Sequence, residues 1–249
     1  NSDGRPVFAI PYENDFTLIG TTDLDFKDDL GDIKASDAEV DYLLKAVSEY
    51  FAKPVTRAEM VWNYAGVRPL FDDGASASKE ATRDYILKLA GNEGKAPLLN
   101  IFGGKLTTYR RLSEKAVDMI GTAIGAKGVR WTRTATLPGG DFPPTGYEAL
   151  VEELGRKDPK LDATLMRRLA RAYGTKAYLL LGDAKTPPDL GPQFGADLYR
   201  REVDYLIANE WAVSADDVLW RRSKLGLRVK PQDKERLVAY MAQKAGGGA

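Results

Sequence analysis

The sequence contains no histidine and no cysteine. Without histidine there is no commonest general base, no commonest metal ligand, and no Ser-His or Cys-His arrangement. Without cysteine there are no disulfides and no thiolate chemistry, and the redox compartment is left undetermined. A proton-transfer base must therefore be Lys, Asp, Glu or Tyr, or must lie outside the chain. No apolar run approaches the ~20 residues of a spanning helix, and no signal-peptide pattern stands at the start. An excess of one charge sign is missing too, with 36 Lys plus Arg against 36 Asp plus Glu. Net charge thus argues for neither nucleic acid nor a membrane surface, and any anion site must be a local cluster. The chain opens on Asn1, not Met, with an apolar run close behind, which reads as the start of a cut piece of a longer protein.

What is present suffices for a real core, since 249 residues permit one large domain or two smaller ones. "PVFAIPYENDFTLIGTTD" predicts a hairpin, with strands at Val7–Ile10 and Phe16–Thr22 around the turn Glu13-Asn14-Asp15. Ser36 and Glu39 form a capping box ahead of Val40, Leu43, Leu44, Val47 and Phe51 at helical spacing, a helix expected to end at Pro54. "MVWNYAGVRPLF" and "RDYILKLA" read as strands around a surface loop, "DDGASASKEAT". "PLLNIF" reads as a third strand, central in its sheet. The helix after it carries Leu112, Ala116, Met119 and Ile120 on one face. Three prolines and three glycines at 138–146 mark a connector. Beyond it the pattern is almost entirely helical, with stripes at Leu161, Leu165, Met166 and Leu169 and at Leu198, Val203, Leu206 and Ile207. Ser214 and Asp217 resemble a cap. The fold class is thus α+β: residues 1–137 with a mixed or antiparallel sheet and flanking helices, then 138–249 as an all-α domain.

The chemistry concentrates in "NIFGGKLTTYRRL", residues 100–112. Gly103, Gly104, Lys105, Leu106 and Thr107 stand between a strand and a helix start, where unpaired N–H groups and a partial positive charge suit an anionic or electron-rich ligand. The glycines equally fit a tight turn capped by Thr107 or Thr108, and the Walker spacing is absent. Arg68, at an expected strand end, needs a carboxylate partner or a ligand. Arg83 opens the next strand as a solvated arginine, a partner for Asp84, or the third cation of a cluster with Arg68 and Lys105. Such a cluster suits a phosphate ester. In "DVLWRRSKLG", Val218 and Leu225 are expected in the core with Arg221, Arg222 and Lys224 solvated, and Trp211 and Trp220 are expected as core anchors.

Together, "IPYENDFTLIGTTD", "VWNYAGVRPL", "TRDYIL", "GKAPLLNIFGGKLTTYRRL", "LPGG" and "EWAVSADDVLWRRSKLG" resemble, in order, the C-terminal half of aerobic FAD-dependent glycerol-3-phosphate dehydrogenase. The resemblance implies oxidation of sn-glycerol 3-phosphate to dihydroxyacetone phosphate, with hydride passing to FAD and electrons to quinone. It implies a substrate domain and the last flavin-contacting turn in residues 1–137, and a helical domain in 138–249. Gly103, Gly104, Lys105, Leu106 and Thr107 would contact the flavin. Arg68, Arg83 and Lys105 would hold the substrate, Arg68 and Lys105 as catalytic groups, with no metal. It further implies a peripheral protein on the cytoplasmic side of the inner membrane, with a homodimer as one assembly and no nucleic-acid partner. The dinucleotide fingerprint G-x-G-x-x-G is missing, so this chain alone is expected to bind FAD weakly or not at all and to be inactive. Two other readings of the residues are a helical interaction or oligomerisation module attached to an anion-binding domain, and part of a related FAD-dependent oxidase.

Overall fold

The computed structural model describes the chain apart from residues 2, 27–28, 69, 72–83, 92–95, 126–127, 159 and 247–249. It divides into two units, Asn1–Ala135 and Thr136–Ala249. The class is α+β, with helices beside two small antiparallel ladders.

In the first unit, β1 (Phe8–Tyr12) and β2 (Phe16–Gly20) form the predicted hairpin, in the register Ile10 opposite Leu18. Glu13 and Asn14 take positive φ at its turn, the conformation a tight reversal demands. The capping box closes as expected: Ser36 Oγ accepts from the Glu39 amide, while Glu39 accepts from the Ser36 amide. Helix α1 (Asp37–Ser48) follows, and its apolar stripe buries Val40 and Val47. It stops at Ser48 rather than running to Pro54, because Ser48 Oγ turns back to the Leu44 carbonyl and accepts from the Val55 amide. Phe51 lies beyond the helix and is exposed.

The expected strand over "MVWNYAGVRPLF" does not form; residues 60–68 carry no ladder. The loop at 72–82 lies outside the described residues. Strand β3 (Ile86–Ala90) pairs with β4 (Leu98–Phe102), Ile86 facing Phe102. Among the described residues β4 is therefore half of a two-stranded ladder and has no second neighbour. A short 3₁₀ turn, Leu106–Thr108, leads into α2 (Tyr109–Ile124). On α2, Ala116 is buried while Ile120, expected on the same face, is exposed.

The second unit is helical: α3 (Tyr147–Lys157), α4 (Ala163–Tyr173), α5 (Lys176–Leu181), α6 (Arg200–Asn209), a π-helical turn at Asp217–Arg222, and α7 (Pro231–Gly246). Both predicted stripes meet in one connected core running from Leu150 to Met241. Here "LPGG" acquires a structural purpose. Gly139, at φ +84, lies so close to the end of α4 that a Cβ would sit 2.3 Å from the Tyr173 carbonyl oxygen, and its own carbonyl accepts from the Thr175 amide. Only glycine permits that approach. Arg168 and Glu202 cross the core as a buried bidentate pair, both bonds at 2.7 Å.

Val218 and Leu225 are buried as the spacing predicted, and Trp220 packs partly buried against the core. Trp211 does not. It is 85% exposed, because it occupies the left-handed position that ends α6, at φ 54, from which its side chain leaves the core. Ala212 next to it is buried and donates to the Leu206 carbonyl.

Candidate functional site

The glycine turn is built by the end of β4. Gly103 and Gly104 take φ +67 and +110, conformations that favour glycine and swing the chain from the ladder into the helix start. A Cβ on Gly104 would meet Leu112 Cδ1 at 3.2 Å and Tyr85 Cβ at 3.6 Å, so the turn is seated against both α2 and the entry to β3. Because β3 and β4 are antiparallel, Tyr85 and the turn share one end of the ladder.

Thr108 ties the helix start together. Its hydroxyl accepts from the Lys105 amide at 3.2 Å and donates to the Lys105 carbonyl at 3.0 Å, while its own amide donates to that carbonyl at 2.9 Å. Thr108, not Thr107, thus does the capping. The amides of Leu106 and Thr107 precede this first helical bond, so they are orphan donors by geometry. Lys105 is exposed, and among the described residues it has no ion-pair partner. Beside it Leu106 is 89% exposed and Tyr109 is exposed as well. N–H donors, an ammonium group and open apolar surface therefore occur within a single turn.

This combination fits the electron-rich edge and apolar face of a flavin ring. Glycines admit the ring to the backbone, the α2 dipole favours negative charge there, and Leu106 offers an apolar contact. The groups that would hold FAD from this chain are Gly103, Gly104, Lys105, Leu106 and Thr107.

Arg68 is not at a buried strand end. It lies in irregular chain, half exposed, with Nη1 donating to Asp23 Oδ2 at 2.7 Å. An exposed pair of this kind is worth at most about 1 kcal/mol, so the guanidinium can exchange its carboxylate for a phosphate at little cost. Asp23 was not singled out from sequence, being 45 positions away; the only signal was its place in "IPYENDFTLIGTTD". The preceding Thr22 donates to Glu39 Oε1 at 2.6 Å, tying this segment to α1. That hydroxyl, with the Ser36 amide, holds the Glu39 carboxyl below its ordinary range. Among the described residues no hydrogen bond or ion pair joins Arg68 to Lys105, and Arg83 lies outside them. Among the same residues no group of acidic side chains could hold a metal ion.

A family model described as FAD dependent oxidoreductase matches residues 1–110, ending within the glycine-turn helix, and one described as the C-terminal domain of alpha-glycerophosphate oxidase matches residues 130–246. The chain is 45% identical to a glycerol-3-phosphate dehydrogenase of Pseudomonas aeruginosa over 97% of its length, covering 47% of that protein. It is 41% identical to the aerobic glycerol-3-phosphate dehydrogenase of Escherichia coli over 98% of its length, covering 48%. A D-erythritol 1-phosphate dehydrogenase of Brucella abortus is 39% identical over 96% of this chain, which again covers 48% of it. The chain therefore spans about half the length of the curated relatives it matches. The chain is thus a homologue, over nearly its whole length, of one half of glycerol-3-phosphate dehydrogenases, and its two segments match the FAD dependent oxidoreductase model and the model of the C-terminal domain of alpha-glycerophosphate oxidase.

Proposed function

We propose that this chain supplies the substrate-anchoring part, residues 1–137, and the helical part, residues 138–249, of an FAD-dependent enzyme that oxidises sn-glycerol 3-phosphate to dihydroxyacetone phosphate. One observation carries the reading: a bare Gly103–Gly104 turn leads into α2 with an exposed lysine that has no ion-pair partner among the described residues and with exposed apolar surface, in a chain similar throughout to glycerol-3-phosphate dehydrogenases.

FAD, when bound, would supply a hydride acceptor for substrate C2 and a carrier of electrons toward quinone. This chain's residues bind and orient. The orphan amides of Leu106 and Thr107 offer donors to the ring edge, and Lys105 adds a positive charge there or at the substrate. Arg68 releases Asp23 to take the phosphate or an oxygen of the substrate, and the family resemblance gives Arg83 the same role. Two guanidinium forks and an ammonium fix a three-carbon phosphate ester in one orientation, which by itself supplies a large share of rate enhancement. With no histidine present, the substrate hydroxyl proton goes to a base on the remainder of the enzyme or to a Lys, Asp, Glu or Tyr of this chain. The family resemblance supports a peripheral position at the cytoplasmic face of the membrane, where electrons would reach quinone. No helix among the described residues is long and apolar enough to cross it.

A second reading takes oxygen as the acceptor, favoured by the alpha-glycerophosphate oxidase description of the matched helical region; hydrogen peroxide formed during turnover would select it.

The test is a covalent hybrid in which residues 1–249 replace the matching half of the Pseudomonas aeruginosa relative. Its flavin absorbance should bleach on addition of sn-glycerol 3-phosphate. Lys105→Met and Arg68→Met should each lower kcat/KM by about 10- to 100-fold, the worth of one charge-assisted bond. A hybrid that bleaches only with D-erythritol 1-phosphate would reassign the substrate, and one indifferent to both variants would remove these residues from the site. The 249-residue chain by itself should retain no flavin; one FAD per chain that bleaches with substrate would contradict a shared site.

A further inference from the structure

Beyond the end of β2, Thr21, Thr22 and Asp23 run as irregular chain, and side-chain bonds hold them in place. The Thr22 hydroxyl donates to Glu39 Oε1 at 2.6 Å. The other oxygen of that carboxylate, Oε2, accepts from the Ser36 amide at 3.0 Å and from the Ser36 hydroxyl at 2.8 Å. A capping box needs only the bond back to its own N-cap, so the bond to Thr22 is an addition that ties the chain ahead of Asp23 to the start of α1. One residue further on, Asp23 Oδ2 accepts from Arg68 Nη1 at 2.7 Å, both side chains being half exposed. The Arg68 backbone is fixed too, its carbonyl accepting from the Leu70 amide at 2.9 Å. A carboxylate and a guanidinium thus face each other at the surface, each on backbone anchored by other bonds.

Opened, such a pair is complementary to one kind of ligand. Arg68 offers planar donors to an anion, and Asp23, having lost that donor, offers acceptor oxygens to a hydroxyl. A ligand with an anionic group and a hydroxyl on neighbouring carbons answers both, so neither protein charge is left without a partner. A phosphate ester lacking the hydroxyl satisfies Arg68 and leaves the Asp23 carboxylate beside a like charge, the kind of mismatch that discriminates between ligands.

We propose that Asp23 is a specificity-determining residue of the substrate site: it accepts a hydrogen bond from the hydroxyl vicinal to the phosphate while Arg68 holds the phosphate. Thr22 is its positioning residue, because the bond to Glu39 keeps Asp23 within reach once Arg68 has turned away. The ligand class selected is a hydroxyalkyl phosphate. The ketone that oxidation leaves at that carbon has no proton to donate, so the same carboxylate favours the alcohol over the product. The inference rests on the reading of Arg68 as an anion anchor, given above, and adds the residue that reads the hydroxyl.

The covalent hybrid with its flavin chemically reduced can bind substrate without oxidising it, so affinity is measurable by calorimetry. Two probes are compared: sn-glycerol 3-phosphate, and 3-hydroxypropyl phosphate, which keeps the chain, the phosphate and the terminal hydroxyl but has no hydroxyl on the middle carbon. The unaltered hybrid should prefer the first by about tenfold or more, the worth of a hydrogen bond to a charged group. Asp23→Ala should erase most of that preference by weakening sn-glycerol 3-phosphate. The other probe should bind as well as before or up to about fivefold tighter, because no exposed carboxylate then competes for Arg68. Asp23→Asn, which keeps the shape and loses the charge, should cut the preference by about two- to fivefold, and it carries the test should Asp23→Ala lose its flavin. Thr22→Val should lose part of the preference and Thr22→Ser, which retains the hydroxyl, should restore it. Equal weakening of both probes by the Asp23 variants would make the residue structural and overturn the proposal, as would an unchanged preference. Should Arg68→Met leave 3-hydroxypropyl phosphate affinity unaltered, the anion anchor itself fails and the proposal with it. Should Arg68→Met weaken that probe while the Asp23 variants leave the preference intact, the hydroxyl assignment alone falls.

Discussion

At the scale of single residues, the best-defined chemistry of the helical unit is structural. Arg168 is engaged from every side: Glu202 takes a bidentate bond, and Asp197 accepts from Nε at 2.8 Å and again through its carbonyl. Burial opposes the Arg168 charge, and the facing Glu202 and Asp197 carboxylates more than offset it, so its pKa stands above the ordinary range. Tyr173 donates to Glu202 Oε1 at 2.7 Å, and burial followed by the Glu202 charge raises its phenol. Every member is satisfied, so removing one strands the others. Glu202→Ala should cost about 2–4 kcal/mol of stability, because Arg168 loses its bidentate partner and keeps only Asp197 while the Tyr173 hydroxyl loses its acceptor. Urea unfolding of the full chain measures this, and a loss below about 1 kcal/mol would mean that water relieves Arg168. Lys105, by contrast, is exposed and, among the described residues, outside any ion pair, so Lys105→Met should leave the same unfolding curve within about 0.5 kcal/mol of wild type. A residue that matters for turnover and not for folding is the expected profile of a ligand contact.

At the scale of elements, the cap ahead of the π-helical turn carries a pH dependence. Asp217 Oδ2 accepts from the Val213 amide at 3.0 Å, the Ser214 amide at 2.9 Å and the Ser214 hydroxyl at 2.9 Å, while Arg221 donates to Oδ1. The Val213 amide, then the Ser214 and Arg221 donors, lower its pKa from the ordinary 3.8 to about 2. As pH falls, the unfolded chain therefore takes up the proton before the folded one. The cap's contribution is full above about 3.8 and disappears as pH falls through about 2. Asp217→Asn should lower stability at pH 7 by about 1–2 kcal/mol, with the deficit closing toward pH 2; a deficit that stays constant down to pH 2 would assign the effect to packing. Caps and turns of this kind were legible because their signals are local: Ser36 with Glu39, Ser214 with Asp217, Glu13-Asn14-Asp15, and the glycine pair at 103–104. Elements that depend on distant partners were not. "MVWNYAGVRPLF" has strand composition, yet a strand exists only beside another, and residues 60–68 find none. Trp211 has the composition of a core anchor and a backbone conformation that points it outward. The glycine turn and Lys105 could be read in the same local way, whereas Arg68 could not, because its carboxylate partner lies far back in the chain.

At the scale of the whole molecule, the two units should differ in how they unfold. The helical unit has one connected core and a closed ion-pair network, so its amides should exchange only through cooperative opening. The first unit holds two separate two-stranded ladders and little buried apolar surface among its described residues. Loop-closure and backbone entropy are not offset there by burial, and its strands should open locally, well before the helices. Hydrogen exchange on the full chain should show amides of β1 to β4 exchanging at least about a hundredfold faster than those of α4 and α6, a gap of roughly 3 kcal/mol in opening free energy. Equal protection in both units of the chain would show that the first unit's short ladders are as stable as the helical core.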